Sequence, residues 1–324
     1  MDALSELLRV LRLTGATYID AELSAPWAIQ TPPPAAIAER LAPGAEIVIP
    51  YHLVPEGECF VQVGGAVPLA VAGGEVVMLP HGDVHVLSSQ PGLQAMRFTT
   101  DMTVELARPD SMARVRYGGG GAKTRLICGF FACDEALSGH LVRHLPRLVR
   151  CGVGASNAAA LLERTVRDSR EGPKPGSGAV FGKLSELLFV DAIRAYLETR
   201  SGQQDWTAGL KDSTTSRALA LIHQKPEASW TLESLAGAVG VSRTALADHF
   251  TRCTGCAPMQ YLAQWRLRLA ADSLGHTDRA IKAIAEAAGF GSVAAFTRAF
   301  KREFGHAPAQ WRREAATRHS RKPS

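Results

Sequence analysis

The sequence predicts an α+β chain in two parts, an N-terminal barrel or sandwich of short strands with flanking helices and a C-terminal part that is all α. Three observations predict it. From Glu46 to about Cys133, short runs rich in β-branched residues alternate with Gly and Pro, the pattern of a many-stranded barrel or sandwich. From Trp230 to Trp311, apolar residues recur at helical spacing and one short pattern occurs twice. The charge divides in the same way: residues 213–324 hold 16 Lys+Arg against 8 Asp+Glu, whereas residues 1–212 hold 20 against 23.

The expected strands are EIVIPYHLV, CFVQV, VPLAV, VVMLP, VHVL, LQAMRFTT, TVEL and TRLICGFFA. Within them, Gly74, Pro80, Gly82 and His85 fall at the spacing G-x5-P-x-G-x2-H. Glycines and a proline at those positions turn one strand into the next, and the last histidine points into the barrel mouth. On these residues the segment 46–133 resembles the sensory domain of the cupin fold found in one branch of transcription regulators. Metal-dependent cupins add a first motif with H-x-H and a glutamate. Here His52, Glu56 and Glu58 are present, but no second histidine follows two residues after His52. No metal or other cofactor is therefore expected, and the candidate ligands, were one held, are His52, His81, His85 and Cys128.

Cys128 and Cys133 frame a C-x4-C run, which is not a zinc-finger spacing. On a straight strand their side chains point to opposite faces. If Cys133 lies at the strand end and the two can meet, they are a candidate redox-sensing pair; the other readings are small buried hydrophobes or a metal ligand. Residues 134–151 read as a helix carrying His140 and His144 four apart, with Pro146 to kink or end it. A second helix starts at Ser156 or Asn157 and reaches about Asp168, and Arg170–Gly178 reads as a loop. The run from Phe181 to Arg200 is a strong helix, apolar at 181, 184, 187, 188, 190 and 193. That stripe is wider than a single buried face needs, so either part of it pairs with a second copy or all of it packs on its own barrel. Ser201–Asp205 opens a linker. The expected domains are 1–170, sensory; 171–212, loop, dimerisation helix and linker; and 213–324.

The repeated pattern runs from Leu232 to Gly255 and again from Ile281 to Gly305. Each copy reads as a helix, a glycine-bearing turn, then a helix capped by Ser242 or Ser292. The extra residue of the second copy falls in the turn, where Gly240-Val241 becomes Gly289-Phe290-Gly291. Between the copies, Pro258 to Leu274 reads as one helix. This is a helix-turn-helix arrangement in which the second helix of each copy enters a DNA major groove. Cys253 and Cys256 form a C-x2-C, but Gly255 is the turn glycine of the repeat and no second ligand pair follows; they read as structural.

Residues 213–316 resemble the double helix-turn-helix DNA-binding domain of the AraC/XylS regulators. The resemblance rests on Trp230-Thr231, Leu235-Ala236, Ser242-Arg243, Phe250, Gly255, Pro258 with Tyr261-Leu262, and Trp265-Arg266-Leu267. It continues through Ile284-Ala285, Gly289-Phe290, Phe296 to Lys301, Phe304-Gly305, Pro308 and Trp311-Arg312. The candidate DNA-facing residues are Ser242, Arg243, Thr244, Ala247, Asp248 and Arg252 in the first copy. In the second they are Ser292, Val293, Ala294, Thr297, Arg298 and Lys301. Arg298 suits guanine O6 and N7, Asp248 suits cytosine N4, and Arg252 and Lys301 suit phosphates.

The resemblance implies a sequence-specific DNA-binding transcription regulator, not an enzyme, whose sensory domain answers to a small molecule or oxidant. Its implied partners are double-stranded DNA, the effector, a second copy in a homodimer and, for an activator, RNA polymerase. The alternative is a metal-dependent cupin enzyme fused to a DNA-binding tail. The first residues lack the uninterrupted apolar core of a signal peptide, and no run of about 18 apolar residues could span a membrane. Six cysteines in 324 residues do not form a secreted disulfide framework. A cytoplasmic protein is expected.

Overall fold

The structure, a computed structural model, describes residues 13–34, 45–98, 112–133, 145–152, 157–171, 175–199 and 213–320, with 36 and 142 in isolation. Leu13–Thr199 forms one compact unit, and the chain from Arg200 onward belongs to another.

The first unit has strands β1 (Thr14–Ser24), β2 (Ala28–Gln30), β3 (Ile47–Glu56), β4 (Glu58–Val63), β5 (Leu69–Ala72) and β6 (Glu75–Met78). It continues with β7 (His85–Ser88), β8 (Met96–Arg97), β9 (Ala113–Gly118), β10 (Lys123–Cys133) and β11 (Val149–Gly152). They form a six-stranded sheet, β11-β6-β3-β10-β1-β9, and a five-stranded sheet, β5-β4-β7-β2-β8. Ile19, Leu23, Val54 and Leu126 from the first sheet meet Cys59, Val61, Val71 and Leu87 from the second in one apolar core. The expected barrel or sandwich of short strands is present.

Two strands are buried on both faces. Val48 to Val54 of β3 and Thr124 to Cys133 of β10 are buried without a break, which requires a second layer on the outer face of the sheet. That layer comes from helices α1 (Asn157–Asp168) and α2 (Ser177–Thr199). Tyr51 stacks on Phe131 with ring centres 4.7 Å apart, and Phe131 meets Phe189 of α2 edge-on at 5.2 Å. The Tyr51 hydroxyl hydrogen-bonds Ser185 Oγ of α2 at 2.8 Å. Asp20 on β1, 2% exposed, accepts from Arg125 Nε at 2.9 Å and from Arg170 Nη2 at 2.8 Å. A buried carboxylate needs such partners.

Four strands escape the sequence reading. β1 and β2 precede the expected start at Glu46, and β9 is an edge strand with an exposed face. β11 corrects the helix expected as far as Cys151: Val149–Gly152 pairs antiparallel with β6, Val149 against Met78. The sheet edge offered by β6 outweighs the helical spacing of four residues that follow Pro146. Residues 134–141, 143 and 144 of that expected helix, with His140 and His144, lie outside the described residues, as do TVEL and the linker at 201–212.

The second unit is helical: α3 (Ser213–Gln224), α4 (Leu232–Val239), α5 (Arg243–Thr254), α6 (Pro258–His276), α7 (Ile281–Ala287), α8 (Val293–Phe304) and α9 (Pro308–Ser320). α6 has 19 residues, about 28 Å at 1.5 Å per residue, and both halves pack on it. Tyr261 meets Phe250 edge-on at 5.5 Å, and Trp311 donates from Nε1 to the Ala271 carbonyl at 3.1 Å. Arg266 donates to the carbonyls of Pro226 and Ala228 at 2.6 and 2.8 Å, fixing the segment that leads into the first copy.

Gly129 is a point of close approach in the barrel. A Cβ there would lie 2.2 Å from the Ala16 carbonyl oxygen and 2.4 Å from the Tyr51 ring. Gly129→Ala should lower the stability of the barrel unit by about 3 kcal/mol, the upper range for overpacking, read as a fall in the urea midpoint of its transition; an unchanged midpoint would contradict this packing.

Candidate nucleic-acid interface and barrel pocket

The two helix-turn-helix copies are built alike. α4 starts at a capping box between Thr231 and Ser234 and ends at Gly240, whose left-handed φ of 83° admits the turn. In the second copy Gly289 has φ 78°. Ser242 Oγ accepts from Ala245 N–H, and Ser292 Oγ accepts from Ala295 N–H, each at 3.2 Å. Leu246 and Phe250 are fully buried under α5, as are Phe296 and Phe300 under α8.

The outward faces are then exposed alike in the two copies. Ser242, Arg243, Thr244, Asp248 and Arg252 are exposed and Ala247 is half-buried; Ser292, Val293, Ala294, Arg298 and Lys301 are exposed and Thr297 is half-buried. Among the described residues, Arg243, Arg252, Arg298 and Lys301 have no carboxylate partner. Cations left unpaired on one helix face are available to phosphate oxygens and base edges. Val293 is 40% exposed, a large apolar side chain at the start of α8 suited to a thymine methyl.

A second site lies inside the barrel. A cavity of about 60 Å³ is walled by Ile19, Ala21, Leu23, Ile29, Leu87, Phe98, Val115 and Leu126, with Pro32, Thr31, His52 and Cys128 completing it. His52 Nδ1 lies 2.9 Å from Cys128 Sγ, and its Nε2 lies 2.7 Å from His85 Nε2. His85 Nδ1 lies 2.8 Å from the Asp83 carbonyl oxygen. The Thr31 hydroxyl donates to the His85 carbonyl at 3.1 Å. Every polar group of the wall thus has a partner within the protein.

Three of the four candidate ligands come together here, and one does not. His81 Nε2 bonds the Leu145 carbonyl at 2.8 Å. The remaining donors do not fit a cupin metal centre, because His52 turns one ring nitrogen to Cys128 and the other to His85. A shared ion needs its ligand lone pairs to converge on one point. Among the described residues, no group of three or more His, Cys, Asp or Glu is arranged to hold a metal ion.

Of the readings open for Cys128 and Cys133, the redox pair needs the two thiols to meet, and they do not. β10 runs unbroken from Lys123 to Cys133, with Cys128 opposite His52 and Cys133 opposite Ile47. Five residues of strand hold the two thiols about 17 Å apart. The cysteine nearer in its effect is Cys59, a core neighbour whose charge would act on Cys128; sequence spacing gives no sign of it. Burial pushes the Cys128 thiol well above its ordinary pKa, so it rests protonated.

Comparison with known proteins agrees with both halves. A family model described as "Cupin" matches residues 2–198, and one described as "Helix-turn-helix domain" matches residues 235–314. An AraC-like transcription regulator of Streptomyces lividans is 28% identical over 318 residues, covering 97% of this chain and 98% of that protein. The transcriptional regulator AlkR of Acinetobacter baylyi is 26% identical over 321 residues, covering 97% of this chain and all of that one. Among solved structures, the DNA-binding domain of AdpA in complex with a target DNA is 28% identical, with a TM-score of 0.31, over 32% of this chain and 95% of that one.

Burial holds both pocket imidazoles neutral: His85 is pushed down to about 4, and His52 well below its usual value, by desolvation and then by the neighbouring His85. Below pH 6.5 the unfolded chain therefore binds protons that the folded barrel refuses. Their contribution is whole above pH 6.5 and is lost as pH falls toward about 4, at about 2 kcal/mol by pH 5 for His85 alone. Hydrogen-exchange protection of the β3 and β7 amides, corrected for intrinsic rate, should drop accordingly between pH 7 and 5. Constant protection would mean that the imidazoles are not held neutral.

Proposed function

Because the chain belongs to the AraC-type transcription regulators, with an N-terminal cupin domain and a C-terminal helix-turn-helix domain, we propose that a small apolar molecule entering the barrel pocket changes how the paired helix-turn-helix copies engage the major groove. The observation that carries this reading is the saturated wall. With its polar atoms already partnered, the cavity offers a polar ligand nothing in exchange for lost water. A hydrocarbon-like occupant loses nothing there and gains the burial of its own surface.

The reading makes the protein a regulator rather than an enzyme. It acts as a homodimer, in which Val180 and Leu187, seven residues apart on α2 and each about half exposed, supply apolar contact. No helix among the described residues is long and apolar enough to cross a membrane.

Two measurements test it. Arg298→Ala should cost about 1–3 kcal/mol and relax preference at a single guanine, while Lys301→Ala should weaken all sequences alike and reduce the salt slope by about one. Binding of selected DNA, titrated over salt, reads both; uniform weakening by Arg298→Ala would remove its base-reading role. Ala21→Phe, which fills the cavity, should abolish any response of DNA binding to small apolar molecules at a stability cost of about 1–3 kcal/mol. A response that survives it would place the effector elsewhere.

A further inference from the structure

Cys128, His52 and His85 form a chain of hydrogen bonds whose direction is set by its far end. The Asp83 carbonyl can only accept, so His85 Nδ1 carries the proton there and His85 Nε2 keeps its lone pair. His52 Nε2–H must then donate to His85 Nε2 at 2.7 Å. That leaves His52 Nδ1 as the acceptor, and the Cys128 thiol donates into it at 2.9 Å. A nucleophile, a base within reach of its proton and a group that orients the base are the general signature of an activated nucleophile.

The surroundings name what the nucleophile could meet. Cys128 and His52 both line the apolar cavity. At about 60 Å³ it is well below the ~150 Å³ of a dry cavity that takes benzene, so its occupant has only a few carbon atoms. Charged reagents are kept out by the same wall.

We propose that the barrel pocket captures small apolar electrophiles of the activated-alkene class as covalent adducts of Cys128. The proposal rests on the pocket being the effector site and names the chemistry of the effector. As the alkene approaches, the Sγ–H bond breaks and its proton passes to His52 Nδ1. Sγ bonds the terminal alkene carbon, and the π pair moves to the carbon beside the carbonyl as an enolate. The proton on His52 then passes to that carbon. A thioether results, with nothing released and no oxidant consumed. Because the resting thiol is protonated, it is inert until an electrophile sits beside it.

The full-length protein treated with methyl vinyl ketone, and separately with iodoacetate, tests this by peptide mass mapping of all six cysteines. Methyl vinyl ketone should add to Cys128, while iodoacetate spares it. His52→Asn should slow that addition about 100-fold, the scale of one general base, and Cys128→Ser should remove it. Modification of Cys253 and Cys256 with Cys128 untouched in the wild-type protein would overturn the proposal, whether or not the His52 variant folds. So would a folded His52→Asn protein reacting at the wild-type rate. DNA affinity measured on the same samples separates the two readings. Adduct formation without a change in affinity would sink the effector role and leave capture standing. A response to butane, which has no alkene, in an Ala21→Phe-sensitive manner but with no adduct from the ketone, would sink capture and leave the effector role standing.

Discussion

The register of β3 against β10 is the constraint on which the barrel depends. It sets Cys128 opposite His52 and Gly129 opposite Tyr51, adjacent pairs that face opposite sides of one sheet. The first pair completes the wall of the cavity; the second admits the Tyr51 ring, whose hydroxyl reaches Ser185 on α2. A slip of one residue would exchange the faces, driving Tyr51 toward the cavity and His52 toward the helix. Gly129 guards against it, since only a residue without Cβ fits beneath the Tyr51 ring. Pocket chemistry and helix docking are therefore a single decision made by one strand pair.

How far each half could be read from sequence follows from the range of its contacts. The helix-turn-helix copies are local: cap, turn glycine and buried phenylalanines lie within about 25 residues, so spacing specifies them and the structure places them as expected. The barrel is closed by partners far apart in the chain. β1 alternates Ile19, Ala21 and Leu23 with Asp20 and Glu22, a signal present in the sequence but passed over, and the reason Asp20 is tolerated on a buried face is Arg170, 150 residues away. β9 looked like surface because it is an edge. β11 is four residues long and makes sense only beside β6.

The site shows the same division. His52, His85 and Cys128 could each be singled out as reactive residue types, and the G-x5-P-x-G-x2-H spacing placed His85 at the barrel. Their order, with His52 between the other two, depends on a pairing across 76 residues and another across 33. Nothing local encodes it. The condition for Cys128 to pair with Cys133, a turn of the chain before Cys133, is not met: the strand runs on to Cys133 and converts five residues into about 17 Å.

Charge separates the two units in a way composition only hints at. In the barrel unit the arginines are answered within the fold: Arg125 and Arg170 by Asp20, Arg116 by Glu22, and Arg147 by Asp83. In the helical unit Arg268, 4% exposed, faces Glu303 at 3.9 Å, and Arg266 is spent on backbone carbonyls. The cations without a carboxylate partner include Arg243, Arg252, Arg298 and Lys301, all on the outward faces of α5 and α8. An excess of 16 Lys+Arg over 8 Asp+Glu could have been spread evenly over a solvated surface. Instead, Arg266 and Arg268 are clamped within the fold, while these four stand exposed on the outward faces of the two repeat helices. The copies are still unequal there, since Asp248 carries a negative charge at the position near which the second copy carries Arg298. In the first copy Asp248 offsets one of its two flanking arginines, so the outward face of α5 is less positive than that of α8, which carries Arg298 and Lys301 with no carboxylate between them.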